Sequence, residues 1–233
     1  MKKRTITIFF ILLIANQSIA AQNMTISTSG SNISQIAFDV LCVAYRKLHI
    51  HLDYIKFPAE RALRMSNTGE TIGESARGKG IEKKYKNLIM VPVSVVKVDW
   101  VVVSKDKTIK VNGWQSLKPY IIGIRRGLKL AEDKTFGMRV EPVASYKQTL
   151  QKVVAGRNDV AVIPRLSALM TLKEESITCL TILDPPLETF PLFHYLHKSK
   201  KYLLNDLTKI LQEMATSGEI QKIQQQSLLK LLK

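Results

Sequence analysis

Apolar residues recur along this chain with two different periods. In residues 33–48 they return every three or four positions, which predicts a helix that is buried on one face. In residues 50–54 they alternate with polar residues, which predicts a half-buried strand. Continuous apolar runs, which are typical of buried strands, follow at residues 88–96, 100–103, 121–124 and 160–163. Since strands and helices alternate along the chain, the pattern favours an α/β fold with mainly parallel sheets flanked by helices.

Glycine, proline and charged turns mark the ends of these elements. Gly69 is suited to end the second helix, because glycine readily adopts the positive φ of the position that follows a helix. The charged turn at residues 104–107 and the Asp-Pro-Pro sequence at residues 184–186 interrupt the strand pattern. We therefore expect the chain to cross between two lobes at these two places.

The N-terminus has the pattern of a targeting segment. Three basic residues precede the apolar run of residues 6–15, and small residues follow at positions 18–20. This predicts a signal peptide over residues 1–20, with cleavage after Ala20 or Ala21. A membrane anchor is the alternative, but the apolar run is about half of the roughly 20 residues that a bilayer span needs. We expect an exported protein that resides in the periplasm.

The chain is strongly basic, with 35 lysine and arginine residues against 19 acidic ones and a formal net charge of +16. In the cytoplasm such an excess would favour nucleic-acid binding, but export argues against it, so we expect no nucleic-acid partner. Two interpretations stay open. The basic surface is either simply solvated, or it attracts anionic ligands or a membrane.

Neither the cysteines nor the histidines define a chemical centre. An oxidising compartment permits a bridge between Cys42 and Cys179, and two buried free thiols are the alternative. His49 and His51 fit the alternation of a strand better than a metal site, and the histidines at 194 and 197 fit the faces of a later strand. We expect no metal and no cofactor.

Sequence motifs of common enzymes do not occur. The chain has no Gly-x-Ser-x-Gly, no His-Glu-x-x-His and no Gly-x-Gly-x-x-Gly, and its carboxylates are scattered. It also has no complete phosphate-binding motif, since Gly80 stands where Gly-x-x-x-x-Gly-Lys, which residues 73–79 match, continues with serine or threonine. This favours a binding protein over an enzyme.

Arginines and small polar residues stand at predicted strand-to-helix turns. In open α/β sheets ligands bind beyond the carboxyl ends of the strands, where helix N-termini offer free N–H groups to anions. An arginine at such a place can hold a carboxylate through two hydrogen bonds. Trp100 and Tyr146 are either core aromatics or stack on the apolar part of a ligand. The candidate ligand-binding residues are Ser29, Arg61, Arg77, Trp100, Arg125, Arg126, Ser145 and Tyr146.

Several segments resemble one protein family. They are FPAERAL at residues 57–63, GETIGESAR at 69–77, NLIMVPV at 87–93, GIRRG at 123–127, GRNDVAV at 156–162 and LHK at 196–198. Together they are similar to the family 3 extracellular solute-binding proteins, the amino-acid-binding type of the ABC transporters.

The resemblance implies a two-lobed type II periplasmic binding protein fold. Lobe 1 would comprise residues 21–103 and 186–233, and lobe 2 residues 104–185. Arg77 would bind the α-carboxylate of the ligand, and the turn at residues 125–127 would line the other side of the cleft. The implied partners are a small solute and an inner-membrane permease, and we expect a monomer. A sensory module of the same fold without a transporter is the alternative.

Two positions depart from the family pattern. Members that bind α-amino acids often carry an acidic residue after the strand that matches residues 160–163, where this chain has Pro164 and Arg165. Ile72 replaces the usual aspartate of the first-lobe motif. The first difference favours a solute with more negative charge or without an ammonium group. We therefore expect an anionic or amino-acid-like ligand.

Overall fold

The computed structural model describes residues 22–232, so the predicted signal peptide lies outside the described residues. The strands are β1 (Gln22–Thr28), β2 (Ile50–Lys56), β3 (Gly73–Arg77), β4 (Leu88–Ser104), β5 (Ile122–Arg125), β6 (Val140–Val143), β7 (Val160–Pro164) and β8 (Thr181–His197). The helices are α1 (Asn32–Arg46), α2 (Ala59–Thr68), α3 (Lys129–Lys134), α4 (Tyr146–Val154), α5 (Arg165–Glu174), α6 (Leu204–Thr216) and α7 (Glu219–Leu231). Short 3₁₀ helices lie at Ile81–Lys83, Trp114–Leu117 and Lys198–Leu203.

The strands form one mixed sheet in the order β2-β1-β3-β8-β4-β7-β5-β6. In lobe 1, β1 pairs in parallel with β2 and β3, and in lobe 2, β5 pairs in parallel with β6 and β7. β4 and β8 lie between these two groups and pair antiparallel with each other and with their other neighbours. Helices α1, α2, α6 and α7 belong to lobe 1, and α3, α4 and α5 belong to lobe 2. This confirms the predicted two-lobed α/β architecture.

β4 and β8 each run through both lobes. Residues 88–90 of β4 pair with β8 in lobe 1, while residues 101–104 pair with β7 in lobe 2. The prediction of two separate strands at residues 88–96 and 100–103 was wrong, because β4 is one strand of 17 residues that carries shifts of register. Pro185 and Pro186 do not end β8 either, since they lie where its register against β4 shifts. The residue limits of the lobes stay a prediction.

Each lobe has its own apolar core. In lobe 1, α1 and α6 bury Val40, Leu41 and Leu207 against Ile26 of β1. In lobe 2, Val101 packs in one cluster and its neighbour Val102 in another, because helices and loops cover both faces of the sheet. Each fully buried side chain of this size stabilises the fold by about 1.5–3 kcal/mol.

Several local predictions are confirmed. Gly69 follows α2 with a φ of 85°, and a side chain there would lie 3.0 Å from the ring of His197. His194 is a fully buried sheet residue. Cys42 and Cys179 are both free, but the alternative of two buried thiols was wrong, because Cys42 is half-buried and Cys179 is exposed. Its exposure follows from its place in the loop that leads into β8.

Within residues 22–232 no helix is both long and apolar enough to cross a membrane.

Candidate ligand-binding cavity between the lobes

A cavity of about 740 Å³ lies between the lobes. Lobe 1 contributes residues 30–33 at the start of α1 and one face of α7, and lobe 2 contributes residues 164–170 at the start of α5. Residues 96–99 of β4, the strand that joins the lobes, complete the lining. Pockets for small molecules typically measure about 300–1,000 Å³, so the cavity has the size of a ligand site.

Two helix N-termini meet in this cavity. α1 begins after Ser31, whose Oγ accepts a hydrogen bond from Ser34 N at 3.3 Å. α5 begins after Pro164, which cannot cap the helix with its side chain. Neither helix has an acidic residue in its first turn. Because the first N–H groups of a helix lack intrahelical partners and carry partial positive charge, both ends are suited to an anion.

Arg165 lies in the same cavity, but its charge is already paired. Its Nε lies 3.3 Å from Asp99 Oδ2 of β4, and its Nη2 contacts the carboxylate of Asp184 in β8. Asp99 Oδ1 also accepts a hydrogen bond of 2.7 Å from Thr189 Oγ1. Arg165 therefore ties the first residue of α5 to both strands that join the lobes.

The remaining lining is largely apolar, with one contact across the lobes. Asn32 Nδ2 of α1 lies 2.6 Å from Met170 Sδ of α5. Ile33, Leu166 and Leu228 add apolar surface around this contact. The cavity therefore combines positive helix ends with a surface that can pack against an apolar ligand body.

None of the predicted binding residues lines this cavity, although Ser29 of lobe 1 directly precedes Gly30, which does. Ser29 Oγ lies 2.7 Å from Ser34 Oγ and 3.2 Å from Ser31 Oγ, which places it just before the first turn of α1. Arg61 is exposed on α2, with its guanidinium carbon 5.3 Å from the centre of the Phe57 ring. These contacts are local to lobe 1.

Arg77, the predicted anchor, is held within lobe 1. Its Nη2 donates a hydrogen bond to Ala59 O at 3.0 Å and lies 3.2 Å from Glu74 Oε1. Since β1 and β3 are parallel neighbours with Ser27 opposite Glu74, Arg77 lies at the same edge of the sheet as Gly30, which lines the cavity. The carboxyl ends of β1 and β3 thus bring Arg77 close to the start of α1.

Glu74 is a buried carboxyl group with incomplete hydrogen bonding. It has no exposed surface, and within residues 22–232 neither of its side-chain oxygens accepts a hydrogen bond. Burial raises the pKa of this carboxyl to about 8, although the charge of Arg77 lowers it in part. At neutral pH most Glu74 side chains are therefore protonated, and Arg77 keeps its positive charge without a full counter-charge.

The candidate residues of lobe 2 form a second group around the start of α4. The Arg125 guanidinium lies 5.0 Å from the centre of the Tyr146 ring, and Ser145 Oγ accepts a hydrogen bond from Gln148 N at 3.2 Å. Arg126 is exposed and lines a separate, more open depression of about 540 Å³ on lobe 2.

Trp100 lies in the core of lobe 2. It is 7% exposed, and its ring centre lies 6.1 Å from that of Trp114. These contacts match the core interpretation of Trp100 that the sequence left open.

Sequence reasoning did not identify the residues that line the cavity. Arg165 carried a signal, because it directly follows a buried strand. Asn32 carried a weaker signal as the first residue of a helix after a strand. The face of α7 carried none, since its position depends on packing against distant residues.

Comparison by sequence yields little. No protein-family model matches the chain. An uncharacterised protein of Shewanella oneidensis is 24% identical over 192 residues, which are 79% of this chain and 72% of that protein.

Comparison by structure is more informative. An ancestral cationic amino acid solute-binding protein matches with a TM-score of 0.67 at 16% identity, over 88% of this chain and 95% of that one. The GluR0 ligand-binding core in complex with L-glutamate matches with 0.67 at 11% identity, over 90% and 99%. A histidine kinase sensor domain with similarity to periplasmic binding proteins matches with 0.62 at 11% identity, over 89% and 96%. The chain therefore has the two-lobed fold of the periplasmic binding proteins.

Proposed function

We propose that this protein binds a small anionic or amino-acid-like solute between its two lobes and closes around it. One observation carries the proposal: the N-termini of α1 and α5, which belong to different lobes and have no acidic residue in their first turns, line one cavity. An anion that bridges the two helix ends gains contacts from both lobes only when they are close together, which is the physical basis of closure.

The residues predicted from the sequence complete the proposed site. Arg77 supplies a charged anchor at the edge of β3, because its neighbour Glu74 is largely protonated at neutral pH. Arg61 supports it from α2. Arg125, Arg126, Ser145 and Tyr146 lie outside the cavity lining, and we propose that they contact the solute when the lobes close. Ser29 contributes beside α1. Trp100 is buried in the core of lobe 2 and helps to position its neighbour Asp99 at the cavity.

The proteins of similar structure support this class of ligand. One is a solute-binding protein for cationic amino acids, and another is a ligand-binding core in complex with L-glutamate; both ligands carry an α-carboxylate. For this chain we propose an exported, monomeric periplasmic protein of the family 3 type, which delivers its solute to an ABC-type permease and catalyses no reaction.

A sensory role is the second candidate. The match to a histidine kinase sensor domain favours it, because that domain uses the same fold for signalling. The two roles differ in the membrane partner rather than in the cavity. Co-purification of the exported protein with a permease, or with a sensor kinase, distinguishes them.

Ligand screening tests the proposed site. Thermal unfolding of the protein is followed with amino acids, dicarboxylates, sugar acids and small peptides. A ligand present at a hundred times its Kd should stabilise the fold by about 2.7 kcal/mol. We expect the hits among compounds that carry a carboxylate or another anion.

Two substitutions of Ser167, in the first turn of α5, test whether the anion binds at this helix end. Ser167 lines the cavity, so Ser167→Asp places a negative charge at the helix end and should weaken binding of a hit at least about tenfold. Ser167→Asn has nearly the same shape without the charge and should retain binding. If both variants bind alike while Arg77→Ala loses the ligand, the anion lies at β3 and not between the helix ends. If no anion of any class stabilises the protein, the proposed function is wrong.

A further inference from the structure

Lobe 1 carries a group of lysines just before the start of β4 and just after the end of β8. We define the lysine patch as Lys83, Lys86, Lys198, Lys200 and Lys201. Within residues 22–232 none of these side chains lies in an ion pair with a carboxylate. The patch therefore presents a cluster of ammonium groups outside any ion pair of the described residues.

The fold brings the two parts of the patch together. Leu88 at the start of β4 pairs with His197 at the end of β8, and Lys198 N donates a hydrogen bond to Asn87 O at 2.8 Å. Lys86 and Lys198 are therefore neighbours across these two strands, although they are distant in sequence. Asn87 is fixed in turn by Asn67, through hydrogen bonds of 3.0 and 2.8 Å. The patch thus rests on a rigid part of lobe 1.

The acidic groups beside the patch are already engaged. Glu60 accepts hydrogen bonds from Lys84 and Tyr85, at 2.8 and 2.6 Å. Glu82 lies 3.1 Å from the hydroxyl of Tyr195 and accepts from Gly80 N. Glu60 is therefore paired with Lys84, whereas Glu82 keeps its negative charge and offsets part of the charge of its neighbour Lys83. Among the described residues, the other four lysines of the patch have no carboxylate partner. Burial lowers the pKa of His197, and the positive charges of Lys198 and Lys200 lower it further.

An aromatic side chain accompanies the charges. Tyr202 is 60% exposed, and Lys200 Nζ lies 6.0 Å from the centre of its ring. Exposed tyrosines are enriched where proteins meet the headgroup region of a bilayer, since the ring is apolar and the hydroxyl polar. Clustered lysines are attracted to the negative surface of an anionic membrane.

We propose that the lysine patch and Tyr202 form a docking surface for an anionic phospholipid bilayer. The surface lies at the start of β4, eleven residues before Asp99 at the cavity, which corresponds to on the order of 30 Å along a strand. A bilayer held at this end of lobe 1 leaves the cavity and lobe 2 free. Docking is thus independent of the solute and compatible with opening and closing.

Vesicle binding tests the proposal on the full chain. Co-sedimentation is measured with vesicles of phosphatidylglycerol mixed with phosphatidylcholine, and with vesicles of phosphatidylcholine alone, at about 0.1 M salt where surface charges still act over about 10 Å. We expect binding to the anionic vesicles only. Binding to neither type, or to both equally, overturns the proposal.

A matched pair of triple variants locates the surface. Lys198→Gln/Lys200→Gln/Lys201→Gln removes three charges from the patch, and each basic residue near a membrane strengthens binding about fivefold, so the loss should exceed about tenfold. Lys107→Gln/Lys110→Gln/Lys118→Gln removes the same charge from exposed positions of lobe 2 and should change binding by less than about threefold. Equal losses in both variants would mean that net charge alone drives binding, and the proposal would be wrong.

Two further experiments distinguish binding to a bilayer from binding to a free anion. Tyr202→Ser should weaken vesicle binding several-fold while leaving charge unchanged. Inorganic phosphate, compared with chloride of the same ionic strength, should not compete. If phosphate alone displaces the protein, the patch is a site for a free anion, and the docking surface is refuted.

Discussion

The carboxyl group of Glu74 lies 3.2 Å from the guanidinium group of Arg77, inside lobe 1 and away from solvent. In most buried pairs of this kind the acid is ionised and cancels the charge of the base. Here burial raises the pKa of Glu74 to about 8, so the acid is mainly neutral at pH 7. Arg77 is therefore positioned by a neighbour that leaves most of its charge available.

Glu74 should make the protein less stable as the pH rises. Its pKa is higher in the folded state, about 8, than the ordinary value of 4.5, so the folded state binds the extra proton between these values. The stabilisation is complete below pH 4.5 and is lost as the pH rises through 8. Between pH 4.5 and pH 8, we expect the ionisation of Glu74 to lower the free energy of unfolding, measured with urea, by roughly 3–5 kcal/mol.

Glu74→Gln is the matched variant, since glutamine has the shape of the protonated acid. It should unfold like the wild type near pH 5 and be more stable near pH 9. A variant that is equally destabilised at both pH values would show that Glu74 is ionised throughout.

His194, in contrast, should make the protein less stable as the pH falls. Its Nδ1 lies 2.8 Å from Glu74 O, and because a carbonyl only accepts, Nδ1 carries the proton and Nε2 accepts from the Tyr45 hydroxyl at 2.9 Å. Burial lowers the pKa of this neutral imidazole to about 4, below the ordinary 6.5. Its stabilisation is present above pH 6.5 and is lost as the pH falls through 4.

We expect His194→Gln to remove about 3 kcal/mol of the pH dependence of unfolding between pH 4 and 6.5. Urea unfolding at several pH values measures this difference. Glutamine can both donate and accept, so the variant should still fold at pH 7. An unchanged acid dependence would mean that His194 is charged in the folded protein.

Gly73 should not tolerate any side chain. A Cβ there would collide with the backbone carbonyl of Tyr195, and it would lie 3.1 Å from Leu196 Cα. Gly73→Ala should therefore lower the free energy of unfolding by more than about 3 kcal/mol, because backbone atoms cannot move aside without breaking the β3–β8 pairing. Gly78→Ala is the control, since nothing lies within 4 Å of its Cβ. Equal stabilities of the two variants in urea would contradict the close approach of β3 and β8.

Arg165 should contribute modestly to stability and act as a unit with Asp99. The two side chains are partly exposed, at 30% and 31%, so their pairing is worth about 1 kcal/mol. Arg165→Gln should cost about that much, and adding Asp99→Asn should cost little more. A double-mutant cycle measured by urea unfolding tests this coupling. Fully additive losses would show that the pair has no energetic link.

The sequence predicted the helices and strands of this fold better than it predicted which segments form one continuous strand. Gly69 and Ser145 carry short-range signals, and both perform the expected role at a helix end. The continuity of β4 was hidden, because Lys97 and Asp99 interrupt its apolar run. Polar residues are tolerated there since that part of the strand faces the cavity between the lobes.

The sequence did not predict the environment of Arg77. Its place at the end of β3 follows from local pattern, but the burial of Glu74 depends on β8, which lies more than a hundred residues later. Cavity residues such as Asn32 and Met170 come from opposite lobes, so no sequence window contains both. Site residues that depend on such distant contacts require the tertiary structure.

The route of the chain through β4 and β8 also sets the order in which the protein can fold as it is made. β3 pairs with β8, and only one residue of β3, Glu74, is in register with β1. β5, β6 and β7 are synthesised between β4 and β8. A nascent chain can therefore build these three strands onto β4 before β8 adds Leu183 and Leu187 to the core of lobe 2, and until then β3 lacks its partner strand. Pairing across such a long sequence separation is slow, because a long loop must close first. Closure of lobe 1 is thus the late step, because a ribosome-bound chain that stops before Thr181 contains β1 to β7 but lacks both β8, which joins β3 to β4, and α7, which lines the cavity.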